Sequence, residues 1–249
     1  MRRLLHDMNP SLKFLAVTVC MLVLAFFFNP WTPLLFFVGI VLLQLLFSQT
    51  NWKLWSLVML PFAIGAFGYF WTTLVFGQSG EGPVLWTIAS IEITDQQWEH
   101  AWSLSFRVLA FSSISLLFAF TTDPVRFIQS LMQQWKLSPK LAFSVLISYQ
   151  FLPVLKMEFE QLQQAHRLRG PGANPQPFKR IIALRRLLIP LLAGAVRKAE
   201  RAAFAMEARA FTGAARSHYR QIKIVPKDYA LLGMFSLVLA ISCSTVFWP

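Results

Sequence analysis

Five near-continuous apolar stretches set the outline of the chain: Leu12–Phe28, Trp31–Phe47, Leu54–Phe76, Trp102–Ala119 and Tyr229–Phe247. A bilayer core takes roughly 20 predominantly apolar residues in helical form, so each stretch reads as a membrane-spanning helix. Asn29-Pro30 is a breaker pair with almost no loop around it, and the first two helices are therefore expected as a tight hairpin. Arg107 is the one charge inside the fourth stretch. It lies close enough to the helix end to snorkel, and it reads as a structural anchor pairing with a carbonyl or an acid.

The segment between the fourth and fifth stretches follows a different pattern. Leu141–Leu155 and Ile181–Val196 are apolar, but each is only about 15 residues long, short for a span. The first carries Tyr149, Gln150 and Pro153, and the second Arg185, Arg186 and Pro190. They read as parts of long helices, apolar on one side and basic on the other, lying in or under the membrane interface. A seven-span arrangement that threads both through the bilayer is the alternative. Asp123-Pro124 and Ser138-Pro139 are helix starts, with a capping side chain followed by Pro at the first turn. Arg169–Pro177, with two Gly and three Pro, cannot continue a helix. The expected elements are helices Asp123–Leu137, Pro139–Leu168 and Phe178–Phe211, with a turn before the last.

Charge assigns the sides. Residues 77–100 carry Glu81, Glu92, Asp95 and Glu99 and no Lys or Arg, whereas residues 123–227 carry 18 Lys and Arg against five acids. Lys and Arg collect on the cytoplasmic side of membrane proteins. That bias puts residues 123–227 and the N-terminus inside and the acidic loop outside. Composition agrees: 56% of the 249 residues are hydrophobic and only 14% charged, against about 25% charged in soluble domains. An ordinary soluble enzyme and a disordered regulator are both excluded. The fold class expected is an all-α membrane protein of about five transmembrane helices plus long amphipathic cytoplasmic coupling helices. Its parts are 1–121 (four spans), 122–227 (the coupling-helix block) and 228–249 (the last span).

No catalytic chemistry is legible. There is no G-x-x-x-x-G-K-[ST] phosphate cradle and no H-E-x-x-H zinc motif, and the four histidines are scattered. Cys20 and Cys243 each sit in an apolar run with no redox or metal spacing. The informative residues lie where the two longest helices of the basic block end, at His166–Gly170 and Ala205–Phe211. Each sets an Arg, Arg169 or Arg209, among small or helix-stopping neighbours. A helix end carrying Arg can dock in a partner's groove, with small residues allowing close backbone approach and the guanidinium giving direction. For one such Arg alone, a solvated cation at a helix C-terminus is the simpler reading. Two similar elements in one block favour docking.

Together these features resemble the T component, the transmembrane coupling subunit, of energy-coupling factor transporters (the EcfT/CbiQ-like family). The resemblance covers nearly the whole chain. It rests on Asn9-Pro10-Ser11-Leu12-Lys13 before the first helix, Arg107, Thr121-Thr122-Asp123-Pro124, Phe151-Leu152-Pro153 and the two Arg motifs. The family motif is Ala-Arg-Gly; here Leu168 stands for its first Ala, and Ala210 for the second Gly. The resemblance implies a non-catalytic subunit whose Arg169, Gly170, Ala208, Arg209 and Ala210 couple to two ATPase subunits or one fused ATPase, with Mg-ATP bound in those partners and no cofactor in this chain. Its membrane helices would hold a substrate-binding S component in the plasma membrane of a prokaryote. A B-vitamin, thiamine or its pyrimidine precursor among them, is the cargo class the family implies first; cobalt or nickel is the alternative. A different reading is a membrane interaction protein whose basic block binds anionic lipid. Nucleic acid is disfavoured, because the aromatics of residues 123–227 sit mostly in the apolar helices.

Overall fold

The computed structural model describes residues 4–27, 29–48, 50–77, 84–88, 91–168, 177–211 and 221–245. Its elements, in chain order, are α1 (Leu4–Asp7), α2 (Pro10–Ala25), α3 (Trp31–Phe47), α4 (Trp52–Phe76), β1 (Val84–Ile88), β2 (Ile91–Thr94), α5 (Asp95–Thr121), α6 (Pro124–Gln134), α7 (Pro139–Leu168), α8 (Pro177–Ala208) and α9 (Pro226–Ser244). Among the described residues, α4, α5, α7 and α9 are long and apolar enough to cross a membrane, and α2 and α3 are apolar but shorter. The helical membrane architecture expected from the sequence is what the chain adopts.

The chain divides into two compact units, Met1–Ser130 with Ile222–Pro249, and Leu131–Gln221. In the first unit α2, α3, α5 and α9 close around one apolar core. Val17, Cys20 and Leu24 of α2 meet Phe36 and Ile40 of α3, Ile114 and Leu117 of α5, and Leu231 and Phe235 of α9. Gly39 lets α3 and α9 approach closely: a β-carbon there would lie 2.6 Å from Val238 Cγ1. α4 packs on α5 through Phe70, whose ring centroid is 4.9 Å from that of Trp102, while its Leu57, Ile64, Phe67 and Trp71 stay exposed. That is the apolar exterior a bilayer solvates.

Two boundaries differ from the sequence expectation. The acidic stretch 77–100 is not all loop. It holds an antiparallel hairpin in which Trp86 pairs with Ile93 and Ile88 with Ile91. α5 then begins at Asp95, seven residues before the apolar run, because Thr94 and Gln97 cap it: the Thr94 amide donates to Gln97 Oε1 at 3.1 Å. The Gln97 amide also donates to the Gly77 carbonyl at 2.9 Å, tying the end of α4 to the start of α5. The second difference is at the end of α6, which stops at Gln134, three residues before the expected Leu137, with Lys136 held left-handed at φ of 54°. α7 keeps its expected limits and runs 30 residues through Pro153 without interruption. The apolar run 141–155 gains flanking turns that bring the helix to spanning length.

The second unit is an antiparallel hairpin of α7 and α8. Near one end Phe143 meets Phe211 edge to face, with centroids 5.3 Å apart. Midway, Lys198 of α8 pairs with the Glu158 carboxylate of α7, beside Gly194, where a β-carbon would lie 3.8 Å from Glu158 Oε2. The helix starts are those read from the sequence. Asp123 Oδ1 accepts from the Val125 amide at 2.9 Å, and Ser138 Oγ accepts from the Leu141 amide at 3.4 Å.

Candidate functional site

The end of α8 is built to present Arg209. The helix stops at Ala208, three residues before the Phe211 expected from the sequence. Ala210 takes the left-handed conformation, with φ of 53°. The Phe211 amide donates back to the Met206 carbonyl at 3.0 Å and the Ala210 amide to the Glu207 carbonyl at 2.9 Å. These two bonds form a Schellman cap, with Arg209 as the C-cap residue and Ala210 in the place glycine usually takes. Phe211 turns onto Phe143 and closes the cap against α7. Ala208, Arg209 and Ala210 are all exposed, so the guanidinium stands between two small residues at a rigid helix end. The carbonyls of the last turn favour a cation there.

The other Arg motif follows α7. Arg169 and Gly170 lie outside the described residues; Leu168, the residue before them, ends α7 and is 88% exposed. Because α7 and α8 are antiparallel, Leu168 and Arg209 belong to opposite ends of the hairpin. A helix of 30 residues is about 45 Å long at 1.5 Å per residue. One partner of modest size does not easily reach both ends.

A second polar constellation lies in the first unit, and sequence reading gave it no role. Lys13, one turn into α2, is fully buried. Its ammonium donates to the Leu5 carbonyl, to the Thr121 carbonyl and Oγ1 at 3.1 Å each, and to Thr122 Oγ1 at 3.5 Å. Asn9 caps the same helix, accepting from the Ser11 amide at 3.2 Å and the Ser11 hydroxyl at 2.9 Å. The Asn9 amide donates to Asp228 Oδ1 at 3.1 Å, and Asp228 Oδ2 accepts from the Val225 amide at 2.9 Å. The motifs Asn9–Lys13 and Thr121–Pro124, separate in sequence, thus meet in space. Asp228, which no motif contains, joins them. Both motifs were visible in the sequence as marks of the family resemblance, but nothing there joined them, and Asp228 showed only as an acid one turn into the last helix.

Arg107 does what was expected of it: its guanidinium donates to the Phe27 carbonyl just beyond α2. Among the described residues no group of three or more His, Cys, Asp or Glu is arranged to hold a metal ion.

The sequence profile of the CbiQ family, described as cobalt transport protein, matches residues 1–219. The chain belongs to the CbiQ family. Curated relatives carry the name energy-coupling factor transporter transmembrane protein EcfT. The one from Thermotoga maritima is 31% identical over 255 aligned positions, covering 96% of this chain and 89% of its own. That of Bacillus subtilis is 27% identical, covering 92% and 89%. That of Exiguobacterium sibiricum is 33% identical over 161 positions, 61% of each chain. This CbiQ-family chain is the transmembrane T component of an energy-coupling factor transporter, a subunit that is not itself catalytic.

Proposed function

We propose that this T component couples ATP hydrolysis in partner subunits to substrate entry through a third. Arg209, with Ala208 and Ala210 beside it, docks on one ATPase unit. Arg169, with Gly170, docks on the other, and the two units are separate subunits or halves of one fused ATPase. Mg-ATP is bound there and not in this chain. The membrane helices hold a substrate-binding S component in the plasma membrane of a prokaryote, with the N-terminus and the α6–α8 block on the cytoplasmic side. The observation that supports this reading best is the capped, exposed Arg209 at one end of a hairpin whose opposite end leads into Arg169. Two like elements, one following each of two long antiparallel helices, suit two like partners. The cargo is a B-vitamin, thiamine or its pyrimidine precursor in the first place. Cobalt or nickel is the second reading, favoured by the description of the matching family.

The test is purification of the tagged chain from its own host in mild detergent, with bound proteins identified by mass spectrometry. An ATPase and a small hydrophobic membrane protein are expected, and uptake of labelled thiamine against cobalt(II) and nickel(II) in vesicles then ranks the cargo classes. A complex without any ATPase would overturn the coupling role.

A further inference from the structure

The polypeptide leaves the first unit once and returns to it once. It leaves along α6, at Ser130, after turning the α5–α6 corner at Thr121 and Thr122 that leads to this exit, and it returns at Ile222, shortly before α9 starts at Pro226. Both crossings are tied to the same helical turn. Lys13 holds the exit, through the carbonyl and hydroxyl of Thr121 and the hydroxyl of Thr122. Asn9, one turn earlier, holds the return, because its amide and the Val225 amide share the Asp228 carboxylate. The next residue, Phe14, adds an apolar clasp. Its ring lies 5.9 Å from Phe118 of α5 and 5.4 Å from Phe127 of α6, and Phe118 and Phe127 are 5.4 Å apart. The corner between α5 and α6 is thereby fixed from both sides, by hydrogen bonds to an ammonium and by three interlocked rings.

Burying an ammonium is costly unless it is paired and hydrogen-bonded. Apolar packing alone would hold a helix corner without that cost, as the phenylalanines already do. Here the charge sits fully buried, met by the oxygens of Leu5, Thr121 and Thr122. Its hydrogen bonds reach two separate segments, the turn at Leu5 and the exit corner, while Asn9, at the start of the same helix, holds the return through Asp228. Directional bonds resist sliding, which non-directional apolar contacts allow.

We infer that the first turn of α2 anchors both crossings. Lys13 and Asp228 are positioning residues that make α2, α5 and α9 move as one body when the second unit is displaced. This rests on the coupling role proposed above, since it specifies the route by which movement of the ATPase-docking unit enters the membrane helices.

Hydrogen exchange on the purified transporter complex, read by mass spectrometry, tests it. The amides to follow are Val125 and Phe127 for the exit, and Asn9, Val225 and Asp228 for the return. Lys13→Met keeps the side-chain length and removes the charge. It should speed exchange at the exit at least tenfold while the core of α3 stays protected. Asp228→Asn should do the same at the return. Thr121→Val, which preserves shape and removes one acceptor, should give a smaller effect of the same kind and covers the event that Lys13→Met fails to fold. Addition of ATP with vanadate should alter exchange at both crossings and in the first turns of α2 together in the wild type. In Lys13→Met the change should stop at Thr122. Unchanged exchange in all three variants, or a nucleotide response that passes into α2 equally well without Lys13, would overturn the inference. A complex lacking any ATPase would instead overturn the coupling role, and the variant comparison without nucleotide would still decide the anchoring.

Discussion

Ala210 offers a sharp perturbation because its backbone already stands where alanine is disfavoured. At φ of 53° an L side chain with a β-carbon costs on the order of 1–2 kcal/mol, a penalty glycine escapes. Ala210→Gly removes that cost but loosens the unfolded chain by about 0.4–1 kcal/mol. The net expectation is a helix end more stable by roughly 0.5–1 kcal/mol. Ala210→Val acts in the opposite direction, since a β-branched residue is a genuine outlier at positive φ, and a further loss of about 1–2 kcal/mol is expected. The amides of Ala210 and Phe211, which make the two cap bonds, report the change directly. Their exchange should slow roughly two- to fivefold in Ala210→Gly and quicken about five- to thirtyfold in Ala210→Val. ATPase retention should follow the same order, because the cap sets where Arg209 stands. Slower exchange in Ala210→Val, or faster in Ala210→Gly, would refute the reasoning.

Gly39→Ala places a methyl 2.6 Å from Val238 Cγ1, whereas Gly65 has open space around it. Thermal unfolding in detergent should show Gly39→Ala less stable than Gly65→Ala by about 1–3 kcal/mol, and Val238→Ala should recover much of that loss. The half-buried Glu158–Lys198 pair should contribute about 1 kcal/mol to the α7–α8 hairpin. A double-mutant cycle of Glu158→Gln and Lys198→Met measures it, and a coupling of zero would remove the pair from the account. Single cysteines at Gly82 and Gly172, in a background lacking Cys20 and Cys243, should label from opposite sides of the membrane. Labelling of both from one side would contradict the assigned topology.

What the sequence disclosed was what local chemistry decides. The limits Trp31–Phe47 and Pro139–Leu168 were legible to the residue, because Asn29-Pro30 and Ser138-Pro139 punctuate the chain at those points. The end of α8 was misplaced by three residues, since its stop lies in an alanine held left-handed and no glycine marks it. The hairpin β1–β2 was hidden because residues 77–100 were read for charge. Val84, Ile88, Ile91 and Ile93 carry a strand signal in the same stretch. The capping pair Thr94 and Gln97, likewise local, would have moved the start of α5 to its true position. The anchor at Lys13 could not be read in this way. Its acceptors lie 108 residues away at Thr121, and Asp228 is 219 residues from the Asn9 amide it binds, so only the packing of α2, α5 and α9 brings them together. Arg107 was expected to pair with a carbonyl or an acid; that the partner is the Phe27 carbonyl depended on where α2 ends.

The most direct measurement is retention of the ATPase by variants that differ only in which arginine is lost. Arg209 stands at the capped end of α8, while Arg201, exposed two turns earlier on the same helix, donates to the Arg197 carbonyl at 3.3 Å. Truncating one side of a desolvated charged contact costs about 2–5 kcal/mol, whereas an exposed charge contributes about 0–1 kcal/mol. Complexes are captured on the tagged chain at matched membrane levels, and the bound ATPase is quantified. Arg209→Ala and Arg169→Ala should each lower retention more than tenfold, Arg209→Lys should lower it less, and the double Arg169→Ala/Arg209→Ala variant should abolish it. Arg201→Ala should leave it unchanged. Equal losses in Arg201→Ala and Arg209→Ala, or full retention in both motif variants, would contradict the assignment of these two arginines as the ATPase contacts.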